Sequence, residues 1–406
     1  TDSPELDPPC TLGLTDIRLI RTDANGEPIW VQCLGGGHRE SAQCLMSTDD
    51  GGFLLAGETN SLDGDVSGQH GYNDGWLARL DDAGNILWQR CIGGTSSDRL
   101  RSASPRPGGG WMAVGSTDSE DGDLPGNQGG YDLMLAAISA QGELEWVRNY
   151  GGSAFDFGTY VHAEADGTIT AIGHASSNNG DCSGNHGEAD LWILRTDAAG
   201  NLIEQHMVGG SQNDDSGSAV RNADGSYTIA GGSRSSDGDV PGNQGLSDTW
   251  LVRVTPQGVV LWSATFGGPG VEYFTDLCAM PASAYCAIGT TSSDFGDVSN
   301  NHGQYDVWAL RTGTDFTSIE AHAATPAAFT VFPNPVGNVL QLHGAGPLEP
   351  SAAIRVRDQL GREVLSAPPQ LIAEGSWRIH VAGLPPGFYT ATFKALGPQA
   401  VRFVKE

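Results

Sequence analysis

The sequence predicts an all-β protein: a five-bladed β-propeller followed by a small Ig-like β-sandwich. The chain has 406 residues, too many for one ordinary hydrophobic core, so two domains are expected. Glycine occurs 58 times and charged residues make up 17% of the chain. Short apolar runs bounded by glycine recur throughout, which is typical of many strands and tight turns.

A repeat with a constant period of 58 residues supports the propeller prediction. Self-similarity at a fixed spacing is the sequence signature of repeat folds. A Gly-Gly doublet marks each copy, at 35–36, 93–94, 151–152, 209–210 and 267–268. An acidic residue follows the first glycine by five positions, as Glu40, Asp98, Asp156, Asp214 and Glu272.

Each copy predicts four strands. The first is a small polar segment such as Thr159–Ala163, and the second is an apolar run such as Phe53–Gly57. A long polar loop leads to the third strand, Asp74–Leu80, and a turn leads to the fourth, Ile86–Cys91. Four strands in a repeat of this length predict a propeller blade.

The two ends of the repeat predict how the ring closes. The chain enters the repeat halfway through a copy, so the segment that begins at Thr15–Ile20 supplies only a third-type and a fourth-type strand. The last copy stops after its third strand. We therefore expect the N-terminal segment to close the ring, which would hide the sheet edges, with one third-type strand left over. The predicted domains are a propeller over 1–312, a linker over 313–328 and a sandwich over 329–406.

The segment after the linker carries short alternating strands with prolines at their entrances, which predicts a sandwich of about seven strands. The order of its motifs resembles the type A C-terminal sorting domain of the type IX secretion system. The matching residues are Pro333, Asn334, Pro335, Asp358, Gly361, Leu384, Gly387, Tyr389 and Lys405.

That resemblance implies an Ig-like sandwich that docks on the translocon and its outer-membrane shuttle barrel. A surface sortase usually removes such a domain and attaches the passenger to lipopolysaccharide. The repeat itself is similar to glycine-rich propeller repeats in large surface proteins of Bacteroidota. We expect an extracellular or cell-surface location, after removal of an N-terminal signal peptide.

The net charge of −28 excludes some partners. Because such an acidic surface repels phosphate backbones, nucleic-acid binding is not expected. The acidity suits cation binding or solubility in high salt, or simply keeps an exported repeat protein soluble. No apolar run reaches the 18 residues needed to span a membrane.

The loop between the second and third strands is the candidate metal site. In its first copy, oxygen-bearing side chains occupy positions one, three, five and twelve, and glycine occupies position six, as in a calcium loop. Proline replaces position five in two copies, and Phe295 replaces position one in the last. The candidate ligands are Asp63, Asp65, Ser67, Asp74, Asp121, Asp123, Asp132, Asn179, Asp181, Ser183, Asp190, Asp237, Asp239 and Asp248. Aspartates that brace a long turn by accepting backbone N–H bonds would give the same pattern.

Other repeated positions argue against catalysis. One loop position holds His70, His186 and His302 but Gln128 and Gln244 in the remaining copies, and glutamine cannot replace a catalytic base. The tryptophans at 76, 192, 250 and 308 are interpreted as core between blades, with an exposed sugar platform as the alternative. The repeated acids before the first strands either cap the Gly-Gly turns or form a ring at a channel mouth. No unique catalytic set lies outside the repeat, so we expect no enzyme.

Seven cysteines leave at least one without an intramolecular partner. Cys278 and Cys286 flank a predicted hairpin turn, so they are the candidate disulfide, which export would permit. The leading functional prediction is an exported surface module for binding or structure, adhesive in role. The alternatives are a self-assembling filament or surface-layer subunit, and a glycan-binding lectin or polysaccharide-degrading enzyme.

Overall fold

The computed structural model describes Cys10 and residues 12–281, 284–298, 301–312, 329–332, 337–344, 354–357, 362–373, 376–394 and 398–405. The chain folds into two compact units, Thr1–Ile319 and Glu320–Glu406. The predicted linker, 313–328, lies outside the described residues. No α-helix occurs in the described residues, and they therefore contain no helix long and apolar enough to cross a membrane.

The first unit contains four complete four-stranded antiparallel sheets, one for each of the first four copies of the repeat. We call each sheet a blade, because its strands follow one another in chain order as in a propeller. The first two blades are β3 (Glu40–Ser47), β4 (Phe53–Thr59), β5 (Asp74–Leu80) and β6 (Ile86–Ile92), then β7 (Asp98–Pro105), β8 (Trp111–Thr117), β9 (Asp132–Ile138) and β10 (Leu144–Tyr150). The next two are β11 (Asp156–Ala163), β12 (Ile169–Ala175), β13 (Asp190–Thr196) and β14 (Leu202–Val208), then β15 (Asp214–Arg221), β16 (Tyr227–Ser233), β17 (Asp248–Val254) and β18 (Val260–Phe266).

A smaller sheet lies at each end of this series. At the N-terminal end β1 (Ile17–Thr22) pairs with β2 (Pro28–Leu34), and these are the third- and fourth-type strands that the sequence predicts. At the other end the fifth blade contains three strands, β19 (Glu272–Ala279), β20 (Tyr285–Thr291) and β21 (Asp306–Arg311). All-β repeated blades confirm the predicted fold class.

The second strand of each blade contains a glycine where the first strand bulges. The register of β11 against β12 shifts between Gly158 and Tyr160, and the extra residue brings the two backbones close together. A Cβ atom on Gly173 would lie 1.7 Å from the carbonyl oxygen of Phe157. Only glycine avoids that clash, and the same position is glycine in all five blades, at 57, 115, 173, 231 and 289.

Neighbouring blades pack through alternate residues of their third strands. Trp76 and Ala78 of β5 are fully buried against Ile17 and Leu19 of the preceding sheet. Leu77, between them in sequence, joins the core that the first blade shares with the second. Trp192 and Trp250 are buried in the same way, so the interpretation as core between blades is correct for these three, and none of them offers a sugar platform. Trp308 of the fifth blade is only half-buried and stacks on Phe274.

The predicted closure of the ring by the N-terminal segment is not seen. Within the described residues, β21 pairs only with β20 and β1 pairs only with β2. The reason is local. β1 and β2 are joined by a short turn and form their own hairpin, and that hairpin packs on the first blade through Ile17, Leu19 and Leu34.

The C-terminal unit contains two four-stranded antiparallel sheets, which makes eight described strands against about seven predicted. Leu340, Ile354, Trp377, Ile379 and Ala391 belong to its buried core. One sheet contains β22 (Phe329–Phe332), β23 (Val339–Gly344), β26 (Gln370–Ala373) and β27 (Ser376–His380). The other contains β24 (Ile354–Arg357), β25 (Glu363–Ala367), β28 (Gly387–Lys394) and β29 (Pro398–Lys405).

Candidate functional site

The repeated acid at the start of each first strand organises the Gly-Gly turn. These five side chains are buried, and each accepts a hydrogen bond from the N–H of the second glycine, as from Gly152 to Asp156 at 2.8 Å. Hydroxyl groups of the same blade add further bonds, such as Ser177 Oγ to Asp156 at 2.7 Å. The interpretation as turn caps therefore fits, because the acids are buried and bonded to the turns. The equivalent bonds join Gly36 to Glu40 (3.1 Å), Gly94 to Asp98 (2.8 Å), Gly210 to Asp214 (2.6 Å) and Gly268 to Glu272 (2.8 Å).

A second repeated aspartate closes the long loop at the start of the third strand. Asp132 accepts a hydrogen bond from the backbone N–H of Gln128 at 2.7 Å. Asp190 accepts the N–H of His186 at 2.8 Å and also contacts its Nδ1 at 2.6 Å. The loop therefore ends in a short turn that a carboxylate holds, which is the Asx-type bracing that the sequence allowed.

These two sets of carboxylates approach each other around the first glycine of each doublet. A Cβ atom on Gly93 would lie 2.7 Å from Asp74 Oδ1 and 2.7 Å from Asp98 Oδ2. The glycine is therefore required because two buried carboxylates occupy the space that any side chain would need. Burial, together with the nearby charges of Asp156 and Asp181, raises the pKa of Asp132 to about 6. Burial likewise raises the pKa of Asp248 to about 6.

The predicted calcium ligands of the first loop have different partners. Asp63 accepts the N–H of Gly37 at 2.6 Å, Asp65 accepts the N–H of Gly35 at 3.1 Å, and Ser67 accepts from Gln89. In the other loops most of these residues also accept a backbone N–H. The donors are Thr95 for Asp121 (2.7 Å), Gln128 for Asp132 (2.7 Å), Ser153 for Asn179 (2.8 Å), Gly151 for Asp181 (3.2 Å), His186 for Asp190 (2.8 Å), Ser211 for Asp237 (2.8 Å), Gly209 for Asp239 (3.2 Å) and Gln244 for Asp248 (2.8 Å). The remaining two contact side chains, Arg90 for Asp123 (3.7 Å) and Gln205 for Ser183. In the part of the chain that the structure describes, no group of three or more His, Cys, Asp or Glu side chains is placed to hold a metal. This arrangement favours bracing, and calcium stays a prediction.

The predicted cysteine pair lies in the predicted register but is not bonded. Cys278 of β19 is directly opposite Cys286 of β20, yet both thiols are free. Directly opposite strand residues hold their Cβ atoms about 4.5–5.5 Å apart, whereas a disulfide needs about 3.5–4.5 Å. The disulfide instead joins Cys10 to Cys33, whose Cα atoms are 5.5 Å apart, and the sequence did not predict it.

One group of side chains breaks the repeat and was missed from the sequence. We call Tyr131, Phe155 and Phe157 the aromatic cluster. The rings of Tyr131 and Phe157 stack with centroids 5.5 Å apart, and Phe155 lies nearly parallel to Phe157, 6.3 Å away. Phe155 is 53% exposed. An exposed aromatic group at a single blade junction has no structural role in the repeat, so it is a candidate for binding.

Charged groups flank the aromatic cluster on one side. The guanidinium of Arg99 lies over the ring of Tyr131, 5.2 Å from its centroid, and Nη2 donates to the Tyr131 hydroxyl at 3.3 Å. Arg99 Nε also lies 3.8 Å from Glu58 Oε2. Cation–π contact and this ion pair fix the tyrosine ring in place.

Polar groups continue the surface on the other side. The His174 ring lies 5.2 Å from Phe157, and its Nε2 is 3.9 Å from Asp215 Oδ1. Burial lowers the pKa of His174, which keeps the imidazole neutral at pH 7 and able both to donate and to accept hydrogen bonds. Tyr273 donates its hydroxyl to the carbonyl of Ser216 at 3.0 Å.

First strands of different blades approach one another here. Arg101 of β7 donates to Gln43 of β3 at 2.9 Å, and its charge acts on both His174 and Tyr273. Burial raises the pKa of Cys44 in β3, and Asp276 in β19 raises it further, so the first and fifth blades are also close at this side. We define the first-strand surface as Arg99, Arg101, Tyr131, Phe155, Phe157, His174, Asp215 and Tyr273.

A comparison of the copies would have revealed part of this surface. The position after the repeated acid holds Ser41, Arg99, Phe157, Asp215 and Tyr273 in successive copies. A position whose residues differ so strongly within a near-perfect repeat is not constrained by the fold. Which of these side chains come together depends on packing between blades, which the sequence does not show.

The C-terminal unit carries a secretion signal. Residues 330–404 match the family described as the secretion system C-terminal sorting domain. The chain therefore carries a type IX secretion sorting domain, which indicates export and a surface or extracellular location. Leu384 and Tyr389 of its motifs lie in the sandwich core, Gly387 opens β28, and Lys405 is buried in β29. The motif residues Pro333, Asn334, Pro335, Asp358 and Gly361 lie outside the described residues.

Comparisons of the whole chain are less informative. No curated protein matches it significantly. A cobalt-substituted apocarotenoid oxygenase from Synechocystis is 14% identical, with 65% of this chain and 60% of that chain covered and a TM-score of 0.36. The structure of YCF48 bound to a D1 peptide is 12% identical over 90% of this chain and 92% of that chain, with a TM-score of 0.33. Likenesses this weak carry no argument about activity, and the absence of enzymatic activity stays a prediction.

The bracing role of the loop aspartates predicts a melting temperature that is insensitive to calcium. A cation that bound only the native state would raise stability as its concentration exceeded Kd. We expect thermal melts of the full chain with calcium and with chelator to coincide. A melting temperature that rises with calcium, and loses that rise in Asp65→Asn, would instead support the metal site.

The buried carboxylates predict that mild acid stabilises the propeller. Because the folded-state pKa of Asp132 and Asp248 is raised to about 6, their contribution to stability is present below pH 4 and is lost as pH rises through 6. We expect a higher free energy of unfolding at pH 5 than at pH 7.5, measured by denaturant melts.

Substitution identifies the groups responsible for this dependence. Asp132→Asn should weaken it, because the amide does not titrate. Asp166→Asn is the matched control, since Asp166 lies in an exposed turn and its backbone hydrogen bond from Thr168 lowers its pKa. Stability that is flat or falls from pH 7.5 to 5 would contradict the assignment.

Proposed function

We propose that this chain is an adhesive cell-surface protein whose propeller binds an extracellular ligand after delivery by type IX secretion. The sorting domain supports the delivery step. The blades supply a rigid framework, because each is held to its neighbours by shared hydrophobic clusters and by buried carboxylates. Rigid frameworks suit binding, since little conformational entropy is lost when the ligand is bound.

The first-strand surface is the observation that carries the binding role. Aromatic rings, two arginines, a neutral imidazole and a carboxylate come together from several blades. Ligand sites typically combine aromatic contact area with a few placed polar groups. The fold requires none of these residue types, because other copies of the repeat hold different residues at the same positions.

Binding at this surface is tested with the purified chain on an array of glycans and matrix glycoproteins. Phe155→Ala should reduce binding at least ten-fold, because Phe155 is the exposed ring of the aromatic cluster. Phe295→Ala is the matched control, since Phe295 is 56% exposed in a loop of the fifth blade. Equal binding by wild type and Phe155→Ala would overturn the assignment of this surface.

Delivery is tested by deleting residues 329–406. We expect the truncated chain to stay in the periplasm with the blades folded, because the proposed contacts with the translocon and the shuttle barrel lie in the sorting domain. Cell fractionation and surface labelling give the location, and a chain with a substitution in the first blade is the export-competent control. Normal surface display of the truncated chain would refute type IX delivery.

Self-assembly is a second candidate function, favoured by the open faces at the two ends of the blade series. Val307 is 75% exposed and Ile288 is 44% exposed, although the equivalent residues of the other blades are buried. At the opposite end Ile20 is 46% exposed. Because each blade covers the next, the fifth blade of one copy can cover the β1–β2 sheet of another, and such head-to-tail contacts produce filaments.

Light scattering and electron microscopy test the assembly. We expect concentration-dependent oligomers that Val307→Asp abolishes, because a charge on the open face cannot be buried there. Val259→Asp serves as the control, since Val259 is 58% exposed in a turn. A monomer at all concentrations would exclude this second function.

A further inference from the structure

We propose that the first-strand surface binds an acidic sugar, with the sugar ring on the aromatic cluster and its anionic group at Arg101. This inference rests on the binding function proposed above and names the ligand class. It commits to a carboxylated or sulfated glycan, in preference to a neutral glycan or a peptide.

Arg101 supplies the charge. Its side chain is exposed, and its partner in the structure is the neutral side chain of Gln43. Within the described residues Arg101 forms no ion pair, whereas Arg79, Arg195 and Arg253 each pair with a carboxylate. In a chain with 49 acidic and 21 basic residues, an exposed arginine without a carboxylate partner is available to an anion from outside.

The aromatic cluster supplies the platform. The rings of Phe155 and Phe157 are parallel to within 3°, and Tyr131 is tilted by 32° and 29° to them. Because Phe155 is the exposed ring of the three, it provides the platform. The C–H groups on one side of a pyranose ring pack on aromatic ring faces, which carry a partial negative charge. Aromatic side chains also lose little conformational entropy on binding, because only two dihedral angles are fixed.

Polar groups next to the platform complete the fit. Asp215 is 40% exposed, and it can accept hydrogen bonds from sugar hydroxyls. His174 lies between Asp215 and Phe157 and adds a neutral donor or acceptor. Hydroxyl groups need both kinds of partner, and Asp215 and His174 provide them beside the aromatic cluster.

Arg101, rather than the overall charge, favours an acidic sugar over a neutral one. The net charge of −28 opposes the approach of any anion, so an anionic ligand must be held by direct contact with an arginine. Hydrogen bonds from a guanidinium to a carboxylate or sulfate are charge-assisted and stronger than those to a hydroxyl. Arg99 is already engaged with Glu58 and Tyr131, and Arg101 is therefore the selecting residue.

Calorimetry with two matched probes tests the proposal on the full chain. The probes are a glucuronic-acid-terminated oligosaccharide and the glucose-terminated oligosaccharide of the same linkage. We expect at least ten-fold tighter binding of the acidic probe. Arg101→Gln should remove that preference and leave the affinity of the neutral probe unchanged, while Phe155→Ala should weaken both. Arg234→Gln, in an exposed loop of the fourth blade, should change neither.

The outcomes separate this inference from the proposed function. Equal affinity for the two probes, or a preference that survives Arg101→Gln, would overturn the acidic-sugar assignment. The proposed binding function would still stand if binding on the array depended on Phe155. Failure of both probes to bind would also overturn it. If array binding were in addition unaffected by Phe155→Ala, the proposed function would fall with it.

Discussion

The hydrogen bond between a buried acid and the second glycine of each doublet is the contact on which the arrangement of blades depends. The chain leaves one blade and enters the next at this turn, so the acid determines where the following first strand begins. In the third blade Asp156 also accepts the backbone N–H and the hydroxyl of Ser177. One carboxylate thus joins the turn, the first strand and the loop that follows the second strand.

The buried acid has an electrostatic cost, and its neighbourhood explains why the first residue of each doublet is glycine. A second buried carboxylate, from the third strand of the preceding blade, lies on the other side of the doublet. Burial removes solvation from both charges, and the two like charges also repel, which is why the pKa of Asp132 is raised. The backbone N–H groups that both carboxylates accept offset this cost. The first position of each first strand can therefore be aspartate or glutamate. The first residue of the doublet, which lies between the two carboxylates, can only be glycine.

Strict constraint at a few positions leaves the others free to vary. The glycines, the two acids and the core residues of the third strand recur because the junction and the bulge require them. The position after the repeated acid has no such requirement, and it holds serine, arginine, phenylalanine, aspartate and tyrosine in turn. A regular framework with variable side chains along the first strands can present one binding surface without any change of fold.

The repeat made the blades predictable from the sequence, and the strands lie where the glycine-bounded apolar runs predicted them. The bracing role of Asp65, and of Asp74, which accepts the N–H of His70 at 2.9 Å, was also within reach. Local turn chemistry depends on nearby residues. The prediction of ring closure was wrong, since β1 and β2 form a separate hairpin and β21 pairs only with β20 among the described residues. The first-strand surface was missed because Arg101, Phe157 and Tyr273 are far apart in sequence and meet only through the packing of blades.

The free energy of unfolding of Asp156→Ala, measured by denaturant melts at pH 7.5, tests the central role of the buried acid most directly. The substitution leaves the N–H groups of Gly152 and Ser177 buried without an acceptor, at a cost of about 1–3 kcal/mol each. The account predicts a loss of about 3 kcal/mol or more, because this cost exceeds the relief of repulsion with Asp132. A change of less than about 0.5 kcal/mol, the usual effect of a surface substitution, would contradict it.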